Sequence, residues 1–599
     1  MAKNLYYAKS KISQSRFIYH AWDTETDGLC GPLLCITSYT EKDAETPSRY
    51  FDGPNAPAHF LDYCFSLAQW HKKEERNLWV SHNLSYDLRY IIAYVLEHNE
   101  DYWFEDMGLR TDTDFYVFGI IRKSDNAVIH FVDSLAVFPR SLKDFASQFA
   151  PDHLKKDGPN FEGGERFNPK NPLHIEYARG DAEALYYAIN VYAKTIEQDY
   201  GVTLGYTAAG TSLKAWQATL QEDEKYFRQS RKPRDFIRRG YYGGIVFITD
   251  SNPVENAVTY DINSSYPAQM RKGVPSGKAA RTHHYYNSLE CPGFYECEVS
   301  APHDLIVPIL PYRNDKGILE WVRGGFTGVY SNLEIDFARE HGYIIKTGMG
   351  YVFDDLCFPF DAYVDQCESI RTGAKKTPRE TVAKLMQNAL YGKFGTKEER
   401  RVLFIPETDE DFTDATPLNP DDPDNPFWVR REDQSEDMLN KIEWAAWITS
   451  QARLALLRVV YAIGPSLCLY GDTDSLTIRP DADQSLIPCS NKYGDFKKEK
   501  VWEQFRAIAP KCYCGIIENR RTGKSKGQRS KRMTEAAWME LFKTGMVEID
   551  SFQVPSIMQA LKRGVEPAKE LKKKSSDILN CSSYQQDDNG SIRPKIRRP

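Results

Sequence analysis

The stretch Tyr470-Gly471-Asp472-Thr473-Asp474-Ser475 decides the fold of this chain, because it sets two acids in a short turn between apolar runs. Residues 467–470 and 475–478 are predicted as strands on either side of this turn. Acid-rich turns between strands are common in proteins, so the hexapeptide takes its meaning from two other stretches far away in the sequence. Strands mixed with helices over about the first 200 residues predict that the chain begins with an α/β domain.

The first of these stretches is Tyr260-Asp261-Ile262-Asn263-Ser264-Ser265-Tyr266-Pro267, where an acid lies near the end of the predicted strand 258–262. The second, Lys384-Leu385-Met386-Gln387-Asn388-Ala389-Leu390-Tyr391-Gly392, lies on a predicted helix over residues 377–393. That helix is predicted to begin with a capping box of Thr377 and Glu380. Lys384, Asn388 and Tyr391 are spaced i, i+4 and i+7, so they share one helix face. The face offers a cation to a triphosphate and an aromatic ring to a base pair.

These three stretches supply what nucleotide addition requires. The reaction uses two divalent cations, one activating the primer hydroxyl and one neutralising the triphosphate and leaving pyrophosphate. Magnesium is bound by a few carboxylates together with substrate oxygens. Asp261, Asp472 and Asp474 provide such carboxylates if the two strand ends are neighbours. The pattern therefore predicts a site for Mg²⁺, with Mn²⁺ as the alternative ion.

A second set of acids precedes the first in the sequence. Asp23 and Glu25 follow the predicted strand 17–22, and strand alternation places both carboxylates on one side. Asp87 lies at the start of a predicted helix over 86–97, and Tyr177 and Asp181 share one face of another over 175–195. Four carboxylates and a tyrosine fit two-metal phosphodiester hydrolysis, with the tyrosine orienting the attacking water.

Composition excludes several classes of protein. The 599 residues are 41% hydrophobic and 13% aromatic, which excludes global disorder. No apolar run of about 18 residues occurs, so no membrane partner is expected. The twelve scattered cysteines predict free thiols rather than a disulfide framework. The net charge of −7 hides basic runs at 520–532, 569–574 and 593–598. The first is a flexible loop or a phosphate-tracking surface, and the last is a solvated tail.

The order of the three stretches resembles motifs A, B and C of the family B DNA polymerases. The resemblance implies a right-hand domain of palm, fingers and thumb that binds template, primer and dNTPs. It implies that Asp261, Ile262, Asp472 and Asp474 take part in metal binding, and that Tyr266 excludes ribonucleotides by contact with the sugar. It further implies nucleotide contacts at Arg371, Lys384, Asn388 and Tyr391. The same resemblance implies DNA contacts at Ser264, Tyr241, Gly243, Gly244, Lys511 and Tyr513.

The earlier acids resemble the three exonuclease motifs of proofreading polymerases, in the variant with Tyr-x-x-x-Asp as the third. This resemblance implies a ribonuclease-H-like 3′→5′ exonuclease domain with Asp23, Glu25, Asp87 and Asp181 as metal ligands and Tyr177 as a helper. It also implies contacts to single-stranded DNA at Thr26, Asn83, Tyr86, Ser134 and Leu135. Lys156 is similar to a basic residue near that site.

The compact length and the motif spacing are similar to those of the protein-primed polymerases of small bacteriophages and linear plasmids. That group carries two insertions, one contacting a terminal protein that acts as primer and one promoting strand displacement. The implied boundaries are exonuclease 1–200, palm 201–272 and 439–535, first insertion 273–360, fingers 361–395, second insertion 396–438, and thumb with basic tail 536–599. Residues 396–436 are polar and are predicted to form an insertion or loop.

The resemblance implies a monomer, or a heterodimer with the terminal protein, in the cytoplasm of a bacterial host. Two alternatives stay open. The chain is either a polymerase that extends ordinary nucleic-acid primers only, or a non-catalytic DNA-binding scaffold that kept the fold. Loss of carboxylates would mark a scaffold, yet all seven predicted acids are present. A pure nuclease leaves the stretches at 384–392 and 470–475 unexplained.

Overall fold

A computed structural model gives the architecture of the chain. Most of the first 525 residues are described. The ranges are 5–7, 16–28, 31–68, 75–111, 114–154, 158–159, 165–222, 224–397, 399–406, 408–433, 440–525, 533–553, 557–563, 569–575, 584–586 and 592–597. Lys156 and residues 526–532 of the basic run lie outside these ranges, and so does Arg598. None of the described helices is both long and apolar enough to cross a bilayer.

The N-terminal part of the chain is a three-layer α/β/α domain. Its elements are β1 (Leu5–Tyr7), β2 (Arg16–Thr26), β3 (Leu33–Tyr39), β4 (Ser48–Asp52), α1 (Ala56–Ala68), β5 (Glu75–Ser81), α2 (Leu84–Glu97), β6 (Tyr102–Phe104), β7 (Met107–Thr111), β8 (Asp114–Phe115), β9 (Phe118–Arg122), β10 (Ala127–Asp133), α3 (Leu142–Phe149) and α4 (Pro172–Tyr200). The main sheet has the order β4-β3-β2-β5-β10-β9-β6, and β5 is parallel to both of its neighbours.

Alternation along β2 decides what each face of this sheet carries. Tyr19 and Ala21 pack in one core cluster with α3 and α4, whereas Trp22 packs in another with α1 and α2. Because successive side chains point to opposite faces, Asp23 and Glu25 face α4 while Thr24 faces α2. The two faces of one strand therefore serve different helices.

The elements that follow α4 form the larger part of the chain. Those up to residue 270 are α5 (Ala208–Thr219), β11 (Lys225–Phe227), α6 (Arg231–Arg238), β12 (Val246–Ile248), β13 (Val254–Glu255), β14 (Val258–Ile262) and α7 (Ser265–Met270). The elements that follow are β15 (Val274–Ser276), β16 (Ala280–Thr282), β17 (Gly293–Ala301), β18 (Pro311–Arg313), β19 (Leu319–Trp321), β20 (Arg323–Ser331), α8 (Asn332–Glu340), β21 (Ile344–Val352), β22 (Asp355–Cys357), α9 (Asp361–Gly373), α10 (Pro378–Ala389) and α11 (Tyr391–Phe394).

The helix predicted over 377–393 differs from the observed one in two respects. It is divided at Leu390 into α10 and α11. The predicted capping box is wrong, because the Thr377 hydroxyl donates back to the Ala374 carbonyl and gives no cap to the helix. The Glu380 carboxylate accepts from the Lys376 amide, and the Thr377 amide is already bonded to Ala374. Pro378 is the first residue of the helix.

Residues 396–436 were predicted to form an insertion or a loop, and the strands among the described residues of this stretch exclude the loop. These strands are β23 (Glu399–Phe404), β24 (Ala415–Pro417) and β25 (Trp428–Asp433). With the N-terminal strands β7 and β8 they build a sheet of order β24-β25-β23-β7-β8. The apolar run Val402–Phe404 is buried there, so a few apolar residues within a polar stretch suffice to dock the hairpin on the first domain.

The remaining elements complete the central sheet and the C-terminal part. They are α12 (Ile442–Ile463), β26 (Cys468–Asp472), β27 (Ser475–Ile478), β28 (Phe496–Val501), β29 (Gln504–Ala509), β30 (Cys512–Ile517), β31 (Arg520–Lys524), α13 (Glu535–Thr544), β32 (Val547–Gln553), α14 (Ile557–Arg563), β33 (Lys569–Ser575), β34 (Tyr584–Gln586), β35 (Ile592–Pro594) and β36 (Ile596–Arg597). The central sheet is antiparallel, with the order β12-β26-β27-β14-β28.

The C-terminal segment is not the solvated tail that its charge predicts. Ile592 is fully buried, and its amide donates to the Thr249 carbonyl beside the central sheet. Strand β36 then pairs in parallel with β20. One buried apolar residue and main-chain pairing thus tie a basic segment to two distant parts of the molecule.

Candidate functional site

Strand pairing brings the first and third stretches together. Strands β14 and β27 pair antiparallel, with Asp261 opposite Ser475. The Ile262 amide donates to the Asp474 carbonyl at 2.8 Å. Thr473 adopts a left-handed conformation with φ 64°, which closes the turn between β26 and β27. Two acids separated by more than two hundred positions therefore lie side by side at one end of the central sheet.

The electrostatics of this pair indicate negative charge that the protein compensates only in part. Burial, and then the charges of Asp261 and Asp472, raise the pKa of Asp474 to about 6. Burial also raises the pKa of Asp261, although Lys497, with its ammonium 3.7 Å from that carboxylate, offsets part of the effect. Adjacent carboxylates that resist ionisation are typical of sites that bind a cation.

Asp472 has different surroundings from its two neighbours. Its carboxylate forms ion pairs with Lys511 at 2.8 Å and with Lys524 at 3.3 Å. Burial alone would raise the pKa of Asp472, but the two ammonium groups outweigh it and hold the pKa below its ordinary value. Lys511 belonged to the prediction, whereas Lys524 did not, because its strand β31 reaches Asp472 only through tertiary folding. Tyr513 packs against Tyr470, with ring centroids 5.1 Å apart.

Two tyrosines from different stretches meet beside the acids. The rings of Tyr266 and Tyr391 stack with centroids 3.9 Å apart and planes at 14°. Ser264, with φ 47°, turns the chain so that α7 begins directly after the acidic strand. On α10, Lys384 and Asn388 are exposed, and the charge of Lys384 acts on Asp261. The structure thus places Tyr266 and Tyr391 together and Lys384 within electrostatic reach of Asp261.

Residues 241–244 pass directly behind the acidic turn. A Cβ on Gly244 would lie 2.7 Å from the Thr473 side chain, so only glycine permits this approach. The carbonyls of Tyr242 and Gly243 both accept hydrogen bonds from the fully buried Arg453 guanidinium. Tyr241 packs its ring over Gly395. The passage is therefore fixed from both sides.

Sequence analysis missed other charged residues of this site. Arg453 pairs with Glu334 at 2.6 Å, and both side chains are 1% exposed. Glu499 raises the pKa of Asp261 and Asp474 from β28, where Lys497 lies opposite Asp261. Alternation along β28 could have placed 497 and 499 on one face. The pairing of β28 with β14, however, is a tertiary fact that no local pattern provides.

The second acidic group forms on the N-terminal domain. The carboxylates of Asp23 and Glu25 on β2 and of Asp181 on α4 offer oxygens within 4.8 Å of one another. Their convergence follows from the alternation of β2 and from α4 crossing the same face of the sheet. Three carboxylates at this spacing have the chemistry and geometry to bind a divalent cation.

Asp87 lies apart from that cluster. It accepts a hydrogen bond from the Thr24 hydroxyl at 2.6 Å, on the α2 face of β2. Burial raises the pKa of Asp87 to about 7, and the nearby charge of Asp133 acts in the same direction. Its predicted role as a metal ligand stays a prediction, since the side chain faces the other side of the strand from Asp23 and Glu25.

The predicted single-strand contacts form two small groups near these acids. The hydroxyls of Thr26 and Tyr86 are 2.8 Å apart. The amides of Asn83 and Leu135 both donate to one oxygen of Asp133, which sequence analysis missed. Three further contacts complete the description: Ser134 donates to the Ser81 carbonyl, His82 bonds to Ser134, and the Tyr177 ring packs against Gly158.

A cavity of about 890 Å³ is lined by residues of both the N-terminal domain and the β23–β25 hairpin. Its wall includes the basic residues Arg76, Lys393, Lys397, Arg400, Arg401 and Arg431. Three acids, Glu105, Asp106 and Glu399, also reach it, so the basic residues outnumber the acids by two to one. A basic cavity of this size suits a polyanion.

Comparisons with known proteins agree with this geometry. Residues 168–422 match the family model described as DNA polymerase type B, organellar and viral. A probable DNA polymerase of Neurospora intermedia is 25% identical over 424 residues, which cover 66% of this chain and 43% of the relative. The DNA polymerase of Bacillus phage Nf is 24% identical over 482 residues, which cover 74% of this chain and 79% of the relative. The chain thus spans less than half the length of the fungal relative.

The fold has a counterpart among solved structures. Phi29 DNA polymerase, complexed with primer-template DNA and incoming nucleotide substrates, superposes with a TM-score of 0.73 at 17% identity. The match covers 94% of this chain and 99% of the other. The predicted fold class is confirmed. Residues 168–422 are thus similar to the type B DNA polymerases of organelles and viruses, and the fold is similar to that of Phi29 DNA polymerase.

Proposed function

We propose that the chain is a DNA-directed DNA polymerase with a 3′→5′ proofreading exonuclease. One observation carries the proposal: β14 and β27 pair so that Asp261 and Asp474 adjoin, beside the stacked rings of Tyr266 and Tyr391. The proposed substrates are dNTPs and a primed DNA template. Relatives named as DNA polymerases and the fold shared with Phi29 DNA polymerase support this assignment.

The chain's own residues divide the work of nucleotide addition. Lys384 attracts the triphosphate by charge, and Tyr391 presents an aromatic surface to the nascent base pair. Tyr266 excludes a 2′-hydroxyl by occupying the space beneath the sugar. Asp261 and Asp474 would hold Mg²⁺, with Ile262 and Asp472 in support; bound Mg²⁺ supplies hydroxyl activation and charge neutralisation. Manganese is the proposed substitute ion.

Degradation would take place at the cluster on the N-terminal domain. Asp23, Glu25 and Asp181 would hold the divalent cations of that site, because their oxygens converge within 4.8 Å. Tyr177 would orient the water that attacks the terminal phosphodiester. Tyr86 would stack on a frayed base, since an aromatic ring accepts any base. Removal of a misplaced nucleotide then regenerates the primer hydroxyl for synthesis.

The proposal extends to protein priming and strand displacement. A hydroxyl of a terminal protein would replace the primer 3′-hydroxyl in the first step, using the same carboxylates. The first insertion, 273–360, would contact that partner. The basic cavity between the β23–β25 hairpin and the N-terminal domain would take a single template strand and exclude its complement. The enzyme would act in the cytoplasm of a bacterial host, as the phage relative suggests.

The testing experiment uses purified protein, magnesium and a 5′-labelled primer annealed to a longer template. Extension with dNTPs and shortening without them are expected, and EDTA should stop both. Absence of both activities in a folded protein would reject the proposed enzyme in favour of a non-catalytic scaffold. A second reaction replaces the primer with a terminal protein that offers a hydroxyl. Label transfer from a dNTP to that protein would show protein priming. Its absence, with normal extension of a DNA primer, would indicate a polymerase restricted to nucleic-acid primers.

A further inference from the structure

Arg371 near the end of α9 is held in place by three neutral side chains. Its Nη1 atom donates to the Ser264 hydroxyl at 2.7 Å, to the Tyr493 hydroxyl at 2.8 Å and to the Gln387 Oε1 at 3.0 Å. These three acceptors come from the turn after Asp261, from the loop before β28 and from α10. One guanidinium nitrogen thus joins the fingers helices to the acidic strand.

The loop that carries Tyr493 is itself fixed to the turn after Asp261. The Asn263 amide donates to the Asp495 carbonyl at 2.9 Å, and the Gly494 amide donates back to the Asn263 carbonyl at 2.8 Å. The Asn263 side chain adds a bond to the Ser490 carbonyl at 2.7 Å. Because these bonds lie on both sides of Tyr493, the turn after Asp261 positions its ring.

Tyr493 contacts Arg371 in two ways. Its hydroxyl accepts from Nη1, and its ring lies 5.4 Å from the guanidinium carbon, within cation–π range. The same hydroxyl donates to the Gln387 Oε1 at 3.3 Å. Gln387 is fully buried, so it cannot follow a moving partner. Together the ring and the two bonds restrict the guanidinium to one orientation.

The charge of Arg371 remains available to a ligand. Within the described ranges no carboxylate lies within ion-pair distance of Arg371, and its three bonded partners are neutral. All three bonds begin at Nη1 and Nε is buried, so the two donors of Nη2 remain for other acceptors. A cation held by neutral groups beside Asp261 is suited to a polyphosphate, because no acid competes for it.

We infer that Tyr493 is a positioning residue that orients Arg371 toward the triphosphate of the incoming nucleotide. The inference rests on the proposed polymerase function and adds to it a residue outside the three motif stretches. Tyr493 does not touch the nucleotide; it acts through the arginine. Its loss should therefore weaken nucleotide capture more than it slows the step after capture.

The test compares Tyr493→Phe and Tyr493→Leu with the wild type in single-nucleotide extension over a range of dNTP concentrations. Tyr493→Phe keeps the ring and loses the hydroxyl, so KM for dNTP should rise about 5- to 10-fold with kcat within about 2-fold. Tyr493→Leu loses both contacts and should raise KM further. Lys492→Ala, an exposed neighbour, is the matched control and should leave KM unchanged.

A double variant separates positioning from a general packing effect. If Tyr493 acts through Arg371, then Tyr493→Phe should add little to the defect of Arg371→Ala, whereas independent roles give multiplied defects. Exonuclease rate and melting temperature check that each variant folds. Unchanged KM in Tyr493→Phe, or multiplied defects in the double variant, would overturn the inference. No extension by the wild-type protein would instead reject the proposed function itself.

Discussion

The two carboxylate sites of this molecule are built on different elements. At the site proposed for synthesis, acids from a strand and a turn lie among lysines: Asp261 lies beside Lys497, and Asp472 pairs with Lys511 and Lys524. At the N-terminal cluster, one strand and one helix bring three carboxylates within 4.8 Å. A triphosphate carries several negative charges, so the lysines of the first site suit it to that substrate. The convergence of carboxylates at the second site suits it to bind a cation.

Each site also holds one acid apart from the others, and the two are stabilised in opposite ways. Asp472 is kept ionised by two ammonium groups, so its pKa is held down. Asp87 is enclosed with Thr24 on the far face of β2, so burial raises its pKa to about 7. One acid has its charge balanced by cations, and the other is close to losing its charge to a proton. Predictions on both sites can sharpen or break this contrast.

The largest expected effect is separation of the two activities. Asp474→Asn should reduce primer extension by at least about 1,000-fold, because a carboxylate beside the reacting groups is lost, and should leave degradation within about 2-fold. Asp181→Asn should do the reverse. Extension and shortening of one labelled primer measure both.

Exposed acids outside the two sites serve as controls for this separation. Asp481→Asn lies shortly after β27, and Asp152→Asn lies after α3; both should retain both activities. Joint loss of synthesis and degradation in a folded Asp474→Asn protein would show that the sites are not independent. The contrast between them would then have no functional meaning.

The next effect concerns the sugar of the incoming nucleotide, which only the proposed synthesis site is expected to discriminate. In Tyr266→Val the ring stacked on Tyr391 is lost, and a 2′-hydroxyl gains space. Discrimination against ribonucleotides should fall about 10- to 100-fold, the range expected when a small steric contact is removed. Competition between dNTP and NTP in single-nucleotide extension measures it. Degradation of the same primer should be unaffected. Unchanged discrimination would show that Tyr266 does not exclude the 2′-hydroxyl.

A smaller effect is expected for the acid that stands apart in the N-terminal domain. Asp87→Asn keeps the shape of the side chain and its bond to Thr24, while Asp23, Glu25 and Asp181 stay in place. The nuclease rate on a single-stranded oligonucleotide should therefore fall by about 10-fold or less, far below the loss in Asp181→Asn. Equal losses in the two variants would make Asp87 a full member of the metal site.

These contrasts show which parts of the molecule local sequence can specify. The strand Val258–Ile262 was predicted with its observed bounds, because alternation and the following turn residues are local signals. Asp23 and Glu25 lie on one side of β2 as expected, since strand alternation fixes the side that each one faces. Such features require no knowledge of which element lies next to which.

Tertiary pairing decides the remainder. Glu499 and Lys524 belong to the synthesis site only because β28 pairs with β14 and β31 reaches Asp472. The hairpin after residue 398 folds because β23 pairs with β7, nearly three hundred residues earlier. Neighbour choice in an antiparallel sheet depends on long-range packing, so composition alone suggested a loop there.

The smallest expected effect is on the free energy of unfolding, which substitutions of Asp474 and Asp472 should change in opposite directions. In metal-free protein the raised pKa of Asp474 means that the folded state holds its proton more tightly than the unfolded state. Stability is therefore lost as pH rises from about 4 to about 6, and the full penalty persists above that range. Asp474→Asn removes this penalty. Discounting for partial exposure, the variant should be more stable by about 1 kcal/mol at pH 7.5 in EDTA and unchanged near pH 4.

Asp472→Asn should show the opposite sign. The pKa of Asp472 is lowered in the folded state, so its ionised form contributes stability above the ordinary pKa of an aspartate, and that stability is lost as pH falls. Removing the charge leaves Lys511 and Lys524 without their partner and should cost about 1 kcal/mol at pH 7.5. Urea unfolding at both pH values measures the two variants. Destabilisation by Asp474→Asn at pH 7.5 would mean that its charge is already compensated without metal, and the proposed cation site would lose its electrostatic basis.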